Sequence, residues 1–204
     1  MKRQIIFAAA LLLSATTAIA ADPQSFFQPT ESRSTGSVNG ISYDAIAGTL
    51  VIHAKGYDDA ATKEDLKKEL PPEASMFYTA YFKHGADAAK RPILFLFNGG
   101  PGSATVWLHM GAFGPRRVVT SDDAHTPAAP YSVIDNPQSL LDVADLVFID
   151  MPGAGFSRVA GKNADKAFYG IDPDAHAFTE FVAQFLGKYN RWNSPKYLFG
   201  ESYG

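Results

Sequence analysis

Short apolar runs bounded by turn residues dominate this chain, and one stretch near its end switches to helical spacing. The clearest run is Ile93-Leu94-Phe95-Leu96-Phe97. It is continuous rather than alternating, which is the pattern of a strand buried on both faces. Leu146-Val147-Phe148-Ile149 reads the same way, with Asp150 at its carboxyl end. Residues 76–83 form a strand rich in Phe and Tyr. Lys196-Tyr197-Leu198-Phe199, behind the breaker Pro195, predicts another. Residues 37–53 predict paired strands joined at Asn39-Gly40, the dipeptide of a tight hairpin turn.

Helical signals are fewer. Phe178, Phe181, Val182, Phe185 and Leu186 share one face at helical spacing and predict packing against a sheet. Asp172 followed by Pro173 predicts the start of that helix, a cap and then a first-turn proline. Residues 105–111 predict a short helix. The charged stretch 62–70 reads as an exposed helical turn or a loop, and 121–130 as a surface loop. Antiparallel strands come first and strand–helix–strand units afterwards. That order predicts an α/β sheet, mixed and mostly parallel.

Composition narrows the picture. Eighteen Lys and Arg against 21 Asp and Glu leave a net charge of −3. With no basic cluster after the first residues, nucleic-acid and membrane-surface binding find no support. There is no cysteine, so no disulfide can form and the fold rests on its core. No metal-ligand cluster is present, and no cofactor is expected. Met1-Lys2-Arg3 precedes an apolar stretch too short for a bilayer, which ends at Ala18-Ile19-Ala20. This predicts a signal peptide over 1–20, cleaved after Ala20, and a periplasmic or secreted product. Residues 21–35 are expected to form a loose leader, and 36–204 the N-terminal part of one domain.

Two motifs carry chemistry. Gly200-Glu201-Ser202-Tyr203-Gly204 has the form G-x-S-x-G, in which a serine sits on a sharp turn after a strand. By chance alone this string arises in roughly one chain in fifteen of this length at ordinary glycine and serine frequencies. The strand before it adds weight. The loop Asn98-Gly99-Gly100-Pro101-Gly102 adds more, because it directly follows the 93–97 strand. Glycines there let main-chain N–H groups approach a ligand closely. Such a loop supplies one half of an oxyanion hole, and the N–H after the nucleophile supplies the other.

These segments, together with Asp150-Met151-Pro152-Gly153-Ala154-Gly155-Phe156-Ser157, resemble the serine carboxypeptidase family. Its motifs are an N-G-G-P-G loop, a D-x-P-x-G-x-G-F-S segment, here one residue shorter, and a G-E-S-Y elbow. The resemblance covers roughly residues 76–204 and implies the α/β-hydrolase fold, truncated here after the nucleophile strand. It implies Ser202 as nucleophile and the N–H groups of Gly100 and Tyr203 as the oxyanion hole. It also implies that Asn98, Gly99 and Glu201 bind the C-terminal carboxylate of a peptide substrate.

Two departures stand out. Ala112, in Ala112-Phe113-Gly114-Pro115, occupies the place of a glutamate that in relatives pairs with the elbow glutamate. This puts strict carboxypeptidase specificity in question. Ser103 replaces a common cysteine.

A serine nucleophile needs a base and an acid to orient it, and in this fold both follow the serine. His53, His84, His109, His125 and His176 all precede Ser202; of these, His109 is the one placed to line the cleft. The expectation is therefore the front part of an enzyme, inactive by itself. A secreted esterase or another hydrolase on the same fold, and a non-catalytic fragment or binding protein, are the alternatives. Asp150 precedes the nucleophile, and the proline and glycines beside it point to a turn-fixing role.

Overall fold

The computed structural model describes residues 25–57, 70–120, 125 and 128–204. The expected signal segment, most of the charged stretch at 62–70 and most of the loop at 121–130 lie outside them.

A hairpin opens the fold. Strands β1 (Thr30–Val38) and β2 (Ile41–His53) pair antiparallel, with Val38 opposite Ile41. Asn39 and Gly40 take φ of 50° and 76°, as a two-residue turn matching strand twist requires. The strand starts at Thr30, inside the stretch expected to be a loose leader. Its side chains are mostly exposed, so no burial pattern marks it; backbone pairing to β2 holds it, together with the bonds Glu31 accepts from Lys188 and Tyr189. The chain just before it is also tied down. Ser25 Oγ and the Phe26 N–H both donate to the buried Glu73 carboxylate, at 2.6 and 2.9 Å.

The remaining strands are β3 (Glu73–Lys83), β4 (Ile93–Asn98), β5 (Arg116–Val118), β6 (Val133–Asp135), β7 (Asp145–Ile149), β8 (Arg158–Ala160) and β9 (Lys196–Glu201). The main sheet runs β1-β2-β3-β7-β4-β9, with β8 on β3. It is mixed. β4 pairs parallel with both β7 and β9, and the other pairings of this sheet are antiparallel. The parallel part is the smaller one among the described residues. β5 and β6 form a separate two-stranded sheet. Three-residue strands leave no periodicity to read.

The helices are α1 (Val106–Leu108), α2 (Ala164–Phe168) and α3 (Ile171–Lys188). The long helix α3 covers one face of the sheet. Phe181, Phe185 and Leu186 meet Ile46, Met76, Tyr78, Phe95, Val147 and Ile149, all buried. Phe178 and Val182 are partly buried beside them, so the helical stripe is core as expected. Burial of each such side chain contributes about 1.5–3 kcal/mol. The cap differs from expectation. Gly170, with φ of 130°, precedes the helix, and Asp172 and Asp174 lie in its first turn. Only glycine turns the chain readily at that angle. The two carboxylates instead complement the positive end of the helix dipole.

The opposite face buries Val38, Tyr43, Tyr81, Leu96, Leu146 and Phe148 against Leu108 and Leu141. Below the sheet, Asp145 accepts from Arg91 Nε at 2.7 Å and Arg191 Nη1 at 2.6 Å. This ties together the starts of β4, β7 and β9. β9 is the far edge, and all six of its residues are exposed.

Candidate active site

The site is built where β4 and β9 end side by side. Their register places Asn98 opposite Glu201 and Phe97 opposite Gly200. Ser202 follows at once with φ of 60°. A non-glycine residue there is strained, costing about 1–3 kcal/mol, and such strain collects at functional sites. The two elbow glycines are sterically required. A β-carbon on Gly200 would stand 2.3 Å from the Gly204 carbonyl carbon, and one on Gly204 would stand 2.6 Å from the Glu201 nitrogen. The Gly204 N–H donates to the Glu201 carbonyl at 2.9 Å and closes the turn.

The glycine loop leans on this elbow. A β-carbon on Gly99 would lie 2.3 Å from the Tyr203 nitrogen. Gly100 and Gly102 take φ of 115° and 97°. The Ser103 N–H donates to the Gly99 carbonyl at 2.9 Å, and the Gly102 N–H donates to Met151 Sδ at 3.0 Å. Among the described residues, the N–H groups of Gly100 and Tyr203 meet no acceptor. Two backbone donors are thus left unspent close to the serine.

Asn98 is buried and its amide is oriented by two contacts. Nδ2 donates to Glu201 Oε2 at 3.0 Å, and Oδ1 accepts the Leu108 N–H at 3.2 Å. The residues expected to meet a substrate carboxylate therefore sit together, joined by a direct hydrogen bond. Leu108 ends α1, and a π-turn over His109–Phe113 follows. The short helix expected at 105–111 is thus half α and half π. Gly114 allows this: its N–H reaches the His109 carbonyl at 2.9 Å, and a β-carbon on it would stand 2.4 Å from that oxygen. Ala112 lies in this turn. Its carbonyl accepts from the buried Asn136 Nδ2 at 2.6 Å.

Asp150 has the turn-fixing role read from the sequence. Oδ1 accepts the Thr105 N–H at 2.8 Å and Oδ2 the Phe156 N–H at 2.9 Å. Thr105 Oγ1 donates to the Ile149 carbonyl and accepts the Asn98 N–H at 3.2 Å. Gly155 is held against the same carboxylate, with room for no β-carbon. Thr105 and Met151 escaped the sequence reading. Each acts across a gap of 7 or 49 residues, which no local pattern reports.

Three of the described histidines, His53, His84 and His109, are engaged away from Ser202. His53 Nδ1 lies 3.7 Å from Glu73, and its ring stacks on Tyr57. His84 pairs with Asp44 at the surface. His109 Nε2 meets Tyr81 OH at 2.6 Å, and its ring stacks on Phe148. Burial pulls its pKa down to about 4, so it is neutral near pH 7. Burial pushes the Tyr81 phenol well above its ordinary value, so both partners of this hydrogen bond are neutral near pH 7. His109 lines a cavity of about 530 Å³ with Thr105, Asp150 and Phe156. Ser202 itself is exposed.

Two further hollows flank Tyr203. One, of about 360 Å³, lies among Pro101, Gly102, Met151, Pro152, Tyr169 and Asp174. The other, of about 590 Å³, is lined by Phe97, Met151, Phe178, Val182 and Leu198. Asp174 reaches both, and burial raises its pKa.

Residues 65–204 match the family model described as serine carboxypeptidase. Similar curated proteins include the pheromone-processing carboxypeptidase KEX1 of Phytophthora infestans, 30% identical over 141 residues, covering 63% of this chain and 21% of that protein. KEX1 of Cryptococcus gattii is 27% identical over 128 residues, covering 62% of this chain and 18% of that protein. The chain spans about a fifth of the length of these relatives. The match takes in the glycine loop, the Asp150 segment and the elbow, and on that basis the chain belongs to the serine carboxypeptidase family, whose fold is that of the α/β-hydrolases.

Proposed function

We propose that this chain is the nucleophile-bearing N-terminal part of a secreted serine peptidase that removes residues from peptide C-termini. The observation that carries this is the meeting of Ser202, on its left-handed turn, with two unspent backbone donors and with the Asn98–Glu201 pair at 3.0 Å. In this reading Asn98, the Gly99 N–H and Glu201 hold the terminal carboxylate of the substrate. Ser202 Oγ attacks the adjacent carbonyl carbon and gives its proton to a general base. The oxyanion that forms is held by the N–H groups of Gly100 and Tyr203, each donor worth roughly 3 kcal/mol. Collapse expels the terminal amino acid, its nitrogen taking the proton from the base. Water then hydrolyses the acyl-serine ester.

The base and its acidic partner are assigned to chain outside these 204 residues, since no described histidine is hydrogen-bonded to Ser202 and His53, His84 and His109 are engaged elsewhere. In the relatives' arrangement two glutamates share the carboxylate site, and Ala112 stands in place of one. This favours a second reading on the same chemistry, an esterase or a hydrolase of broader specificity.

A covalent probe tests the nucleophile. A fluorophosphonate phosphonylates an activated serine with loss of fluoride. The full-length protein should carry the adduct on the peptide containing Ser202, and the Ser202→Ala variant should carry none. An adduct on another residue, or none in the parent, would overturn the reading.

A further inference from the structure

We propose that Met151 is a positioning residue for the oxyanion loop, anchoring Gly100 through the hydrogen bond its thioether accepts from the Gly102 N–H. The inference rests on the reading of Ser202 as the acylating nucleophile. Gly100 and Gly102 both take φ values that glycine adopts without penalty and other residues avoid. A loop with two such residues has many conformations open to it, so the direction of the Gly100 N–H depends on what ties the loop down. Two ties are present. One is internal, from the Ser103 N–H to the Gly99 carbonyl at 2.9 Å. The other is Met151, whose Sδ lies 3.0 Å from the Gly102 nitrogen.

The surroundings of Met151 fit this role. It is 4% exposed, and its carbonyl accepts the Ala154 N–H at 3.0 Å, so its own backbone is fixed. Its side chain lines both hollows beside Tyr203. It therefore borders both the glycine loop and Tyr203, the two segments that carry the N–H groups assigned to the oxyanion. A thioether is a weak acceptor that does not ionise. It steers the Gly102 N–H without placing negative charge beside an oxygen that must become negative.

The test uses steady-state kinetics of the full-length protein on a peptide with a free C-terminus. Met151→Leu keeps the volume and removes the acceptor; Met151→Gln keeps an acceptor on a side chain of similar length. The Leu variant should lose about tenfold in kcat, less than the 10²–10³ that follows outright loss of an oxyanion donor. Its KM should stay within about twofold, and the Gln variant should recover most of the loss. A Leu variant with parental kcat would overturn the proposal. So would Leu and Gln variants that fall equally, in activity or in folding, because packing alone would then account for Met151. Should the Leu variant alone fail to fold, near-parental kcat in the Gln variant supports the acceptor role, and a large loss there refutes it. Ser202→Ala is measured alongside. Turnover that survives it defeats the nucleophile reading and this proposal together. Turnover that depends on Ser202 but ignores Met151→Leu defeats this proposal alone.

Discussion

Gly99 and Tyr203 touch backbone to backbone: a β-carbon on Gly99 would stand 2.3 Å from the Tyr203 nitrogen. The two residues come from loops 104 positions apart in sequence and from neighbouring parallel strands. The contact fixes the distance between the two halves of the proposed oxyanion hole. The other atoms near that β-carbon, the Glu201 carbonyl oxygen and the Gly204 nitrogen at 2.6 and 2.7 Å, are also backbone. No side-chain rotation can relieve such a clash.

Gly99→Ala should therefore displace the elbow while leaving the core intact. In the full-length enzyme we expect kcat/KM to fall by at least about 10², the penalty of roughly an ångström of misplacement. The circular dichroism spectrum should be unchanged. Activity within threefold of the parent would show that the loop and elbow are not rigidly coupled.

The 204-residue chain by itself should not turn over an activated ester. Loss of triad members from a serine hydrolase costs about 10⁴–10⁶ in turnover, and none of the described histidines is hydrogen-bonded to Ser202. Residues 21–204 and their Ser202→Ala variant should give the same background rate. A serine-dependent rate typical of hydrolases would place the base within this chain.

The edge strand should make that chain self-associate. All six residues of β9 are exposed, with Tyr197 at 58% and Leu198 at 69%. An unpaired, apolar strand edge is a template for pairing with another copy. Sedimentation of residues 21–204 should show concentration-dependent association, reduced by Leu198→Lys. A monomer at all concentrations would contradict this.

His109 gives stability a pH dependence whose sign is fixed. Burial lowers its pKa from 6.5 to about 4, so between those values the unfolded chain binds more protons than the folded one. Stability is then full above about pH 6.5 and falls as pH drops toward 4, by on the order of 3 kcal/mol. Denaturant unfolding of the full-length protein across this window should show the loss, and His109→Gln should flatten it. Glu31 titrates lower. Burial raises its pKa, but hydrogen bonds from Lys188, Tyr189 and Arg33 together outweigh that and hold it at about 2. Its contribution is lost only as pH falls from about 4.5 toward 2, so the two windows overlap only between about pH 4 and 4.5.

The sequence reveals what local pattern encodes. The strand before the elbow, the buried run at 93–97, the Asn39-Gly40 hairpin and the Phe181–Phe185 stripe all follow from residue order alone. The start of β1 escaped because its side chains mostly face solvent, and backbone pairing to β2 with distant contacts of Glu31 to Lys188 and Tyr189 holds it. The Gly170 cap escaped because a favourable Asp-Pro pair lies two residues later. In the site, Ser202 and the glycine loop were legible as motifs. The ties that set their geometry, Thr105 to Asp150 and Gly102 to Met151, depend on contacts across 45 and 49 residues. Those exist only once the sheet has brought β4 and β7 together.

Ala112 bears on substrate choice. With alanine where relatives pair a second glutamate, preference for a free C-terminus should be weaker than in relatives that keep both. Ala112→Glu should raise the ratio of kcat/KM for free-acid over amidated peptide by about tenfold, the effect of one well-placed hydrogen-bonding group. An unchanged ratio would mean that the Asn98–Glu201 pair suffices.

The most direct test of the account follows amino-acid release from a peptide by the full-length protein and its Ser202→Ala variant. The prediction is stepwise loss of residues from the C-terminus, reduced at least about 10³-fold by the substitution. Internal cleavage, or C-terminal release that persists without Ser202, would contradict it.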